Sequence, residues 1–138
     1  MQNQEPLEVP NRPRNNQCRG SIVNTASMAG LGIVGLLPAY NASKHGVVSM
    51  TRVDARQFAH KGIRINCVCP GFVDTPMFRG SGLSEQFIEA AKNQAPMKRF
   101  TETYEVADAV LYLSGTFASA VTGISLPVDA GALLFHIV

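Results

Sequence analysis

Two short apolar runs separated by one long helical pattern constrain this chain more than anything else in it. The first run is Ser21-Ile22-Val23-Asn24-Thr25-Ala26 and the second is Ile63-Arg64-Ile65-Asn66-Cys67-Val68. Between them, from about Pro38 to His60, the apolar residues Val47, Val48, Met50, Val53, Phe58 and Ala59 recur at helical spacing. Gly62 stands just past that pattern, where a left-handed C-cap belongs. A strand, a long helix and a second strand make a βαβ unit, so the strands pair in parallel through a right-handed crossover. Strands this continuously apolar are covered by helices on both faces. The expected class is α/β, with a doubly wound parallel sheet.

The remaining pattern extends that unit. After Cys69-Pro70-Gly71 comes a loop to Gly82, then a helix from Ser84 to about Ala95 with Phe87, Ile88 and Ala91 on one face. A further helix runs from about Glu102 to Ser114, with Val106, Ala109, Val110 and Leu113 at core spacing and acidic residues at its start. Residues 124–128 read as a last strand, ending at Asp129-Ala130-Gly131. Residues 1–19 hold Pro6, Pro10, Pro13 and the polar run Asn15-Asn16-Gln17, and read as an irregular or disordered arm. Residues 20–138 form one domain, the length of the chain leaving room for a single modest core.

Composition excludes several function classes. Net charge is +2 with Lys and Arg scattered, so no nucleic-acid footprint is present. No apolar stretch reaches the ~18 residues of a membrane span, and Met1 opens no basic-then-apolar leader. Cys18, Cys67 and Cys69 are an odd number without a disulfide framework, which points to a reducing compartment, most simply the cytoplasm. Cys67 and Cys69 face one side of a strand, and no further Cys or His stands at ligand spacing, so no metal site is expected. His45, His60 and His136 read as structural or solvated.

The chemistry gathers at the end of the first run. Ser27 closes the strand, Pro38 announces the helix, and Tyr40 and Lys44 lie on its first turns. Spaced i and i+4, their β-carbons are about 6 Å apart on one face. A Tyr-x-x-x-Lys match alone commonly marks only an amphipathic helix start with a solvated lysine. Three features favour a site: Ser27 at a strand end, small residues Asn41, Ala42 and Ser43 inside the motif, and the βαβ context. That context puts the groups at the carboxyl ends of parallel strands, where open α/β sheets bind ligands. Moving hydride at a carbinol carbon needs a proton acceptor, and a phenol of pKa ~10 is only about 0.1% ionised at pH 7. A neighbouring ammonium can lower such a pKa by about 1 to 3 units, which is the work assigned to Lys44. Ser27 would donate a hydrogen bond to the substrate oxygen.

These residues resemble the short-chain dehydrogenase/reductase family. There the strand-end serine lies thirteen residues before the tyrosine of Tyr-x-x-x-Lys, as Ser27 does before Tyr40. The resemblance runs from about Gly20 to Gly131 and matches the C-terminal half of a family member. It implies part of a Rossmann-like sheet, with the strands here at one edge of a seven-stranded one. It also implies an NAD or NADP coenzyme contacted by Tyr40, Lys44, Val73 and Thr75, with Lys44 on the nicotinamide ribose. Val73 and Thr75, in Pro70-Gly71-Phe72-Val73-Asp74-Thr75, would hold the carboxamide. The family's glycine-rich coenzyme turn, its NAD/NADP discriminating residue and its fourth site residue, an asparagine, belong to the other half. The implied activity is hydride transfer between NAD(P)(H) and a secondary alcohol or ketone. Homo-oligomers through the helix beginning near Tyr40 are implied too. The alternative is a truncated, non-catalytic remnant that packs onto a full-length homologue.

Gly30-Leu31-Gly32-Ile33-Val34-Gly35 is a literal G-x-G-x-x-G, yet no acidic residue ends the next strand, which a dinucleotide fingerprint requires. The stretch is read as a flexible substrate loop lining the pocket. Met77, Phe78 and the helix after them are expected to form a mobile lid with hinges at Gly80 and Gly82. Asn24 and Asn66 are expected to satisfy buried backbone groups, and Asp129 to stand near a subunit contact.

Overall fold

The computed structural model describes residues 1–7, 18–80, 82 and 84–135, without the side chains of Met77 and Phe135. Its strands are β1 (Gly20–Thr25), β2 (Ile63–Pro70) and β3 (Ser125–Val128). They form one sheet in the order β1-β2-β3, every pairing parallel, in register from Gly20↔Ile63 and from Cys67↔Ser125. The helices are α1 (Pro38–Phe58), α2 (Pro76–Arg79), α3 (Glu85–Gln94) and α4 (Thr103–Ser114). β2 is the central strand, and residues 63–69 are all buried.

Side-chain alternation along β2 shows how the sheet is covered. Ile63 and Ile65 pack with Ala55 and Phe58 of α1, and Cys67 and Cys69 pack with Val47 and Val48 of α1. From the opposite face Arg64 reaches the end of α4, and Asn66 reaches the segment after it. Helices therefore lie on both faces, as the doubly wound α/β class requires. β1 and β3 are the edge strands among the described residues, and Ile22 of β1 is exposed rather than covered.

α1 starts as its sequence dictates. Pro38 occupies the first turn, where its missing N–H costs nothing. The helix tightens into a 3-10 turn, Ala59–Lys61, and stops at Gly62, whose φ of 73° is left-handed. Its buried stripe is Val48, Thr51 and Ala55. Met50 and Val53, two of the apolar residues at helical spacing, are each 60% exposed. The reason is a satisfied polar residue: Thr51 donates to Val47 O at 2.8 Å and accepts from Asn24 Nδ2 at 2.9 Å, so it can occupy the stripe. Asn24 thus serves a side chain rather than the backbone. Asn66 does serve the backbone, donating to Val121 O and accepting from Ile124 N–H.

Arg64 is a charged residue only 6% exposed inside the central strand. Its guanidinium donates to the carbonyls of Leu113, Ser114, Gly115 and Val121, closing the C-terminal end of α4 where a cation suits the helix dipole. α3 is capped by Ser84, whose hydroxyl accepts from Phe87 N–H, and α4 by a capping box of Glu102 and Glu105. α2 falls within the stretch read as a loop. Asp129 accepts from the N–H groups of Gly131 and Leu133 and so caps the turn Ala132–Phe135. Residues 1–7 carry neither helix nor strand, and Leu7 N–H donates to Cys18 O at 2.8 Å. Residues 8–17 of the expected arm, and His136, lie outside the described residues.

Candidate active site

Five residues singled out from the sequence, Ser27, Tyr40, Lys44, Val73 and Thr75, line one cleft of about 600 Å³ at the carboxyl ends of β1 and β2. Thr25, Ala26, Pro70, Gly71, Phe72 and Phe78 complete its strand-end and α2 walls, and Thr103 and Val106 of α4 close it. Three consequences of local folding aim the polar groups into this space.

Ser27 is buried, with extended backbone at φ −170°, and caps the 3-10 turn Met28–Gly30. Its Oγ accepts from Ala29 N–H at 3.2 Å, which leaves the hydroxyl hydrogen to donate elsewhere. Thr75 behaves alike: it caps α2, and its Oγ1 accepts from Phe78 N–H at 3.2 Å. Each hydroxyl is therefore a donor pre-oriented by its own backbone. Lys44 Nζ donates to Thr25 O at 3.3 Å and stands 5.7 Å from the centroid of the Tyr40 ring. The ammonium thus ties the end of β1 to the tyrosine on the first turn of α1.

Val73 forms a short parallel bridge with Thr101, built from Thr101 N–H to Phe72 O at 2.9 Å and Asp74 N–H to Thr101 O at 3.0 Å. In such a ladder the peptide groups of the bridged residue itself point to the other edge. Val73 N–H and C=O are accordingly presented, one donor and one acceptor together, on the side away from Thr101.

Electrostatics around the cleft are set by ion pairs at its rim. Asp74 pairs with Arg79 at 2.6 Å across α2, which holds the Asp74 carboxyl below its usual range. Arg99 grips both oxygens of Glu105 at 2.7 Å, and Glu102 N–H donates to the same carboxylate. The Arg99 guanidinium first, and the backbone donor second, lower the Glu105 pKa to about 2 from 4.5. A depressed carboxylate pKa means that this contribution to stability is complete above about pH 4.5 and is lost as pH falls towards 2. Urea midpoints measured between those pH values should drop more steeply for the unaltered chain than for Glu105→Gln. Parallel curves would show that the pair does not couple to folding.

The sequence also pointed to features the structure places differently. None of residues 30–35 lines the cleft. Gly30 instead packs against the α1 backbone: a β-carbon there would lie 2.6 Å from Lys44 O. Phe78, expected on a mobile lid, belongs to an aromatic cluster with Phe72 at 5.7 Å and Phe100 at 5.0 Å, and Phe87 meets Phe72 at 6.5 Å. Cys67 and Cys69 sit buried with sulfurs 4.0 Å apart behind the strand ends. Hydrogen bonding to Cys67, then burial, pushes the Cys69 thiol up, so it stays protonated. Among the described residues no group of His, Cys, Asp and Glu is arranged to hold a metal. No described helix is long and apolar enough to cross a membrane. Thr103 was not singled out from the sequence, Val106 was read only as a core residue of its helix, and Asn41 only as a small residue inside the motif. Asn41 alone carried a signal, a turn-forming amide inside Tyr-x-x-x-Lys.

Comparison with known proteins places these features in a family. A family model described as enoyl-(acyl carrier protein) reductase matches residues 9–132. The short-chain dehydrogenase fogB of Aspergillus ruber is 43% identical over 97% of this chain and 50% of its own length. A solved putative 2-deoxy-d-gluconate 3-dehydrogenase from Agrobacterium tumefaciens, with bound NADP, superposes with a TM-score of 0.80 at 31% identity. That match covers 86% of this chain and 48% of that one. The actinorhodin polyketide ketoreductase with NADPH, solved as a point variant, gives 0.75 at 38% identity over 82% and 47%. The chain spans about half the length of the relatives it matches. Its match, its parallel sheet and its strand-end residues lead to one conclusion: the chain belongs to the short-chain dehydrogenase/reductase family of oxidoreductases.

Proposed function

We propose that these residues form the acid/base half of an NAD(P)(H)-dependent site acting on a secondary alcohol or ketone. The observation that carries this reading is the convergence of Ser27, Tyr40, Lys44, Val73 and Thr75 on one cleft. The coenzyme, when bound, accepts or supplies the hydride. The donor set fits its nicotinamide end. The paired N–H and C=O of Val73 complement a carboxamide, Thr75 adds a hydroxyl donor, and Lys44 offers an ammonium to ribose hydroxyls. Tyr40 Oη takes the proton from the alcohol, or returns it to the carbonyl oxygen in the reverse direction. Lys44 stands 5.7 Å from the Tyr40 ring centroid on the same helix face, and Ser27 donates to the substrate oxygen and steadies it. Phe72 and Phe78 give the cleft an apolar wall for the hydrocarbon part of the substrate.

A second reading, a non-catalytic piece that packs onto a longer homologue, is favoured by the exposed apolar face of α1 at Met50 and Val53. The same face serves the homo-oligomer reading.

Saturation-transfer NMR with NADH and NADPH separates the two functional readings. None of residues 30–35 lines the cleft, so the Gly30–Gly35 stretch offers a pyrophosphate no contact there, and affinity is expected to be only about millimolar, or ~4 kcal/mol. At that concentration the nicotinamide-ring protons should receive saturation, and Thr75→Val should weaken the effect about fivefold to tenfold. Transfer confined to the adenine protons, or none, would defeat the proposed site.

A further inference from the structure

We infer that Asn41 is a positioning residue for this site: its amide locks the residue 31–37 loop onto the first turn of α1 and so fixes where Tyr40 stands. The inference rests on the reading of Tyr40 as the acid/base group. Val34 N–H donates to Asn41 Oδ1 at 2.9 Å, and Asn41 Nδ2 donates back to Val34 O at 3.0 Å. The second amide hydrogen goes to Leu37 O at 2.8 Å, which also accepts from Asn41 N–H at 2.9 Å. One planar amide thus satisfies three backbone groups of the loop, two of them in the reciprocal manner of a strand ladder.

The position of these bonds gives them their consequence. Leu37 is the N-cap residue of α1 and offers no side-chain cap, so the first turn lacks the usual device against fraying. Tyr40 lies in that turn, one residue before Asn41, and its side chain is 44% exposed. An exposed ring has few neighbours to orient it, so its backbone decides where the hydroxyl stands. Ser43 Oγ donates to Tyr40 O at 2.7 Å and steadies the same peptide from the helix side. Asn41 does so from the loop side. Aspartate would keep the acceptor for Val34 N–H, lose both donors and set a carboxylate against two carbonyls. Alanine would lose all three bonds.

The test uses the 138-residue chain with its tyrosine rings labelled with ¹³C, which requires no turnover. In Asn41→Ala, exchange of the Val34 amide should accelerate about tenfold, and the Tyr40 ring resonance should move and broaden. Tyr104 and Tyr112, on α4, should keep theirs. Asn41→Asp, the closest in shape and the fallback if alanine prevents folding, should show the same changes at pH 7. It should recover part of the original Tyr40 signal as its carboxyl protonates near or above pH ~4 and regains a donor. A purely structural defect would not reverse with pH. An unchanged Tyr40 resonance and Val34 exchange rate in a folded variant would overturn the inference, as would a change in Asn41→Asp that acid leaves untouched. Failure of the acid/base reading shows elsewhere, as turnover that survives Tyr40→Phe, and leaves these signals where they are.

Discussion

Replacing Tyr40 with phenylalanine is expected to lower kcat about 10²- to 10⁴-fold, the range for removing a positioned general acid or base. The change deletes one oxygen. It keeps the ring, and therefore the Lys44 ammonium 5.7 Å from its centroid and the Lys44 bond to Thr25 O. Of the implied coenzyme contacts, those of Val73, Thr75 and Lys44 are untouched and Tyr40 loses only its hydroxyl, so coenzyme Kd should stay within about twofold while the chemical step fails. The assay is NAD(P)H consumption with a panel of cyclic and acyclic ketones. It is run in the smallest polypeptide containing these residues that turns over. Ser27→Ala should cost less, because it removes a stabilising donor and leaves proton transfer in place. Near-normal turnover in the phenylalanine variant would assign the proton to another group, and among the described residues Lys44 is the one other titratable side chain lining the cleft.

Much of this arrangement could be read from the residues because local rules and tertiary packing agree there. Pro38 at the first turn of α1 and Gly62 at φ 73° are backbone requirements that only those residues meet cheaply. Ser27 could be found because it ends an extended segment and begins a turn, which places a cap hydroxyl at a strand end; Thr75 does the same, but only the family resemblance pointed to it. α2 was passed over although Thr75-Pro76 is a helix-start signal, because four residues carry too little periodicity to register. The place of Thr51 in the core stripe of α1 could not be read because hydrophobicity cannot see Asn24 of β1 supplying it with a partner. Arg64 was overlooked for a related reason. A charge in an apolar run can be detected, but the four carbonyls it serves are some 50 residues away in the sequence. The Phe72 cluster likewise joins residues whose separation leaves no periodic trace.

The same contrast explains the glycines after β1 and gives the second large effect. Gly30 belongs to a G-x-G-x-x-G pattern, yet what it requires is space. A β-carbon at Gly30 would stand 2.6 Å from Lys44 O, 2.9 Å from Lys44 C and 3.0 Å from Val48 Cγ2. The first two are backbone atoms inside a helix, so no side-chain rotation can relieve the clash. Gly30→Val should therefore force the Met28–Gly30 turn away from α1 and cost about 3 kcal/mol, the upper end for overpacking, which corresponds to a Tm lower by about 10 °C. It should also weaken the nicotinamide-ring saturation transfer, because Lys44 and Ser27 lie on the two surfaces being pried apart. Gly46, two residues beyond Lys44, is the control. A β-carbon at Gly46 meets nothing within 4 Å, so Gly46→Ala should stabilise the helix by roughly 0.5 to 1 kcal/mol. The pair is read by thermal and urea unfolding. If Gly30→Val melts with the unaltered chain, the loop does not seat on α1 as described. If instead its stability holds while coenzyme signals at the ribose and phosphates collapse, the glycines touch the dinucleotide and the packing role given to Gly30 falls.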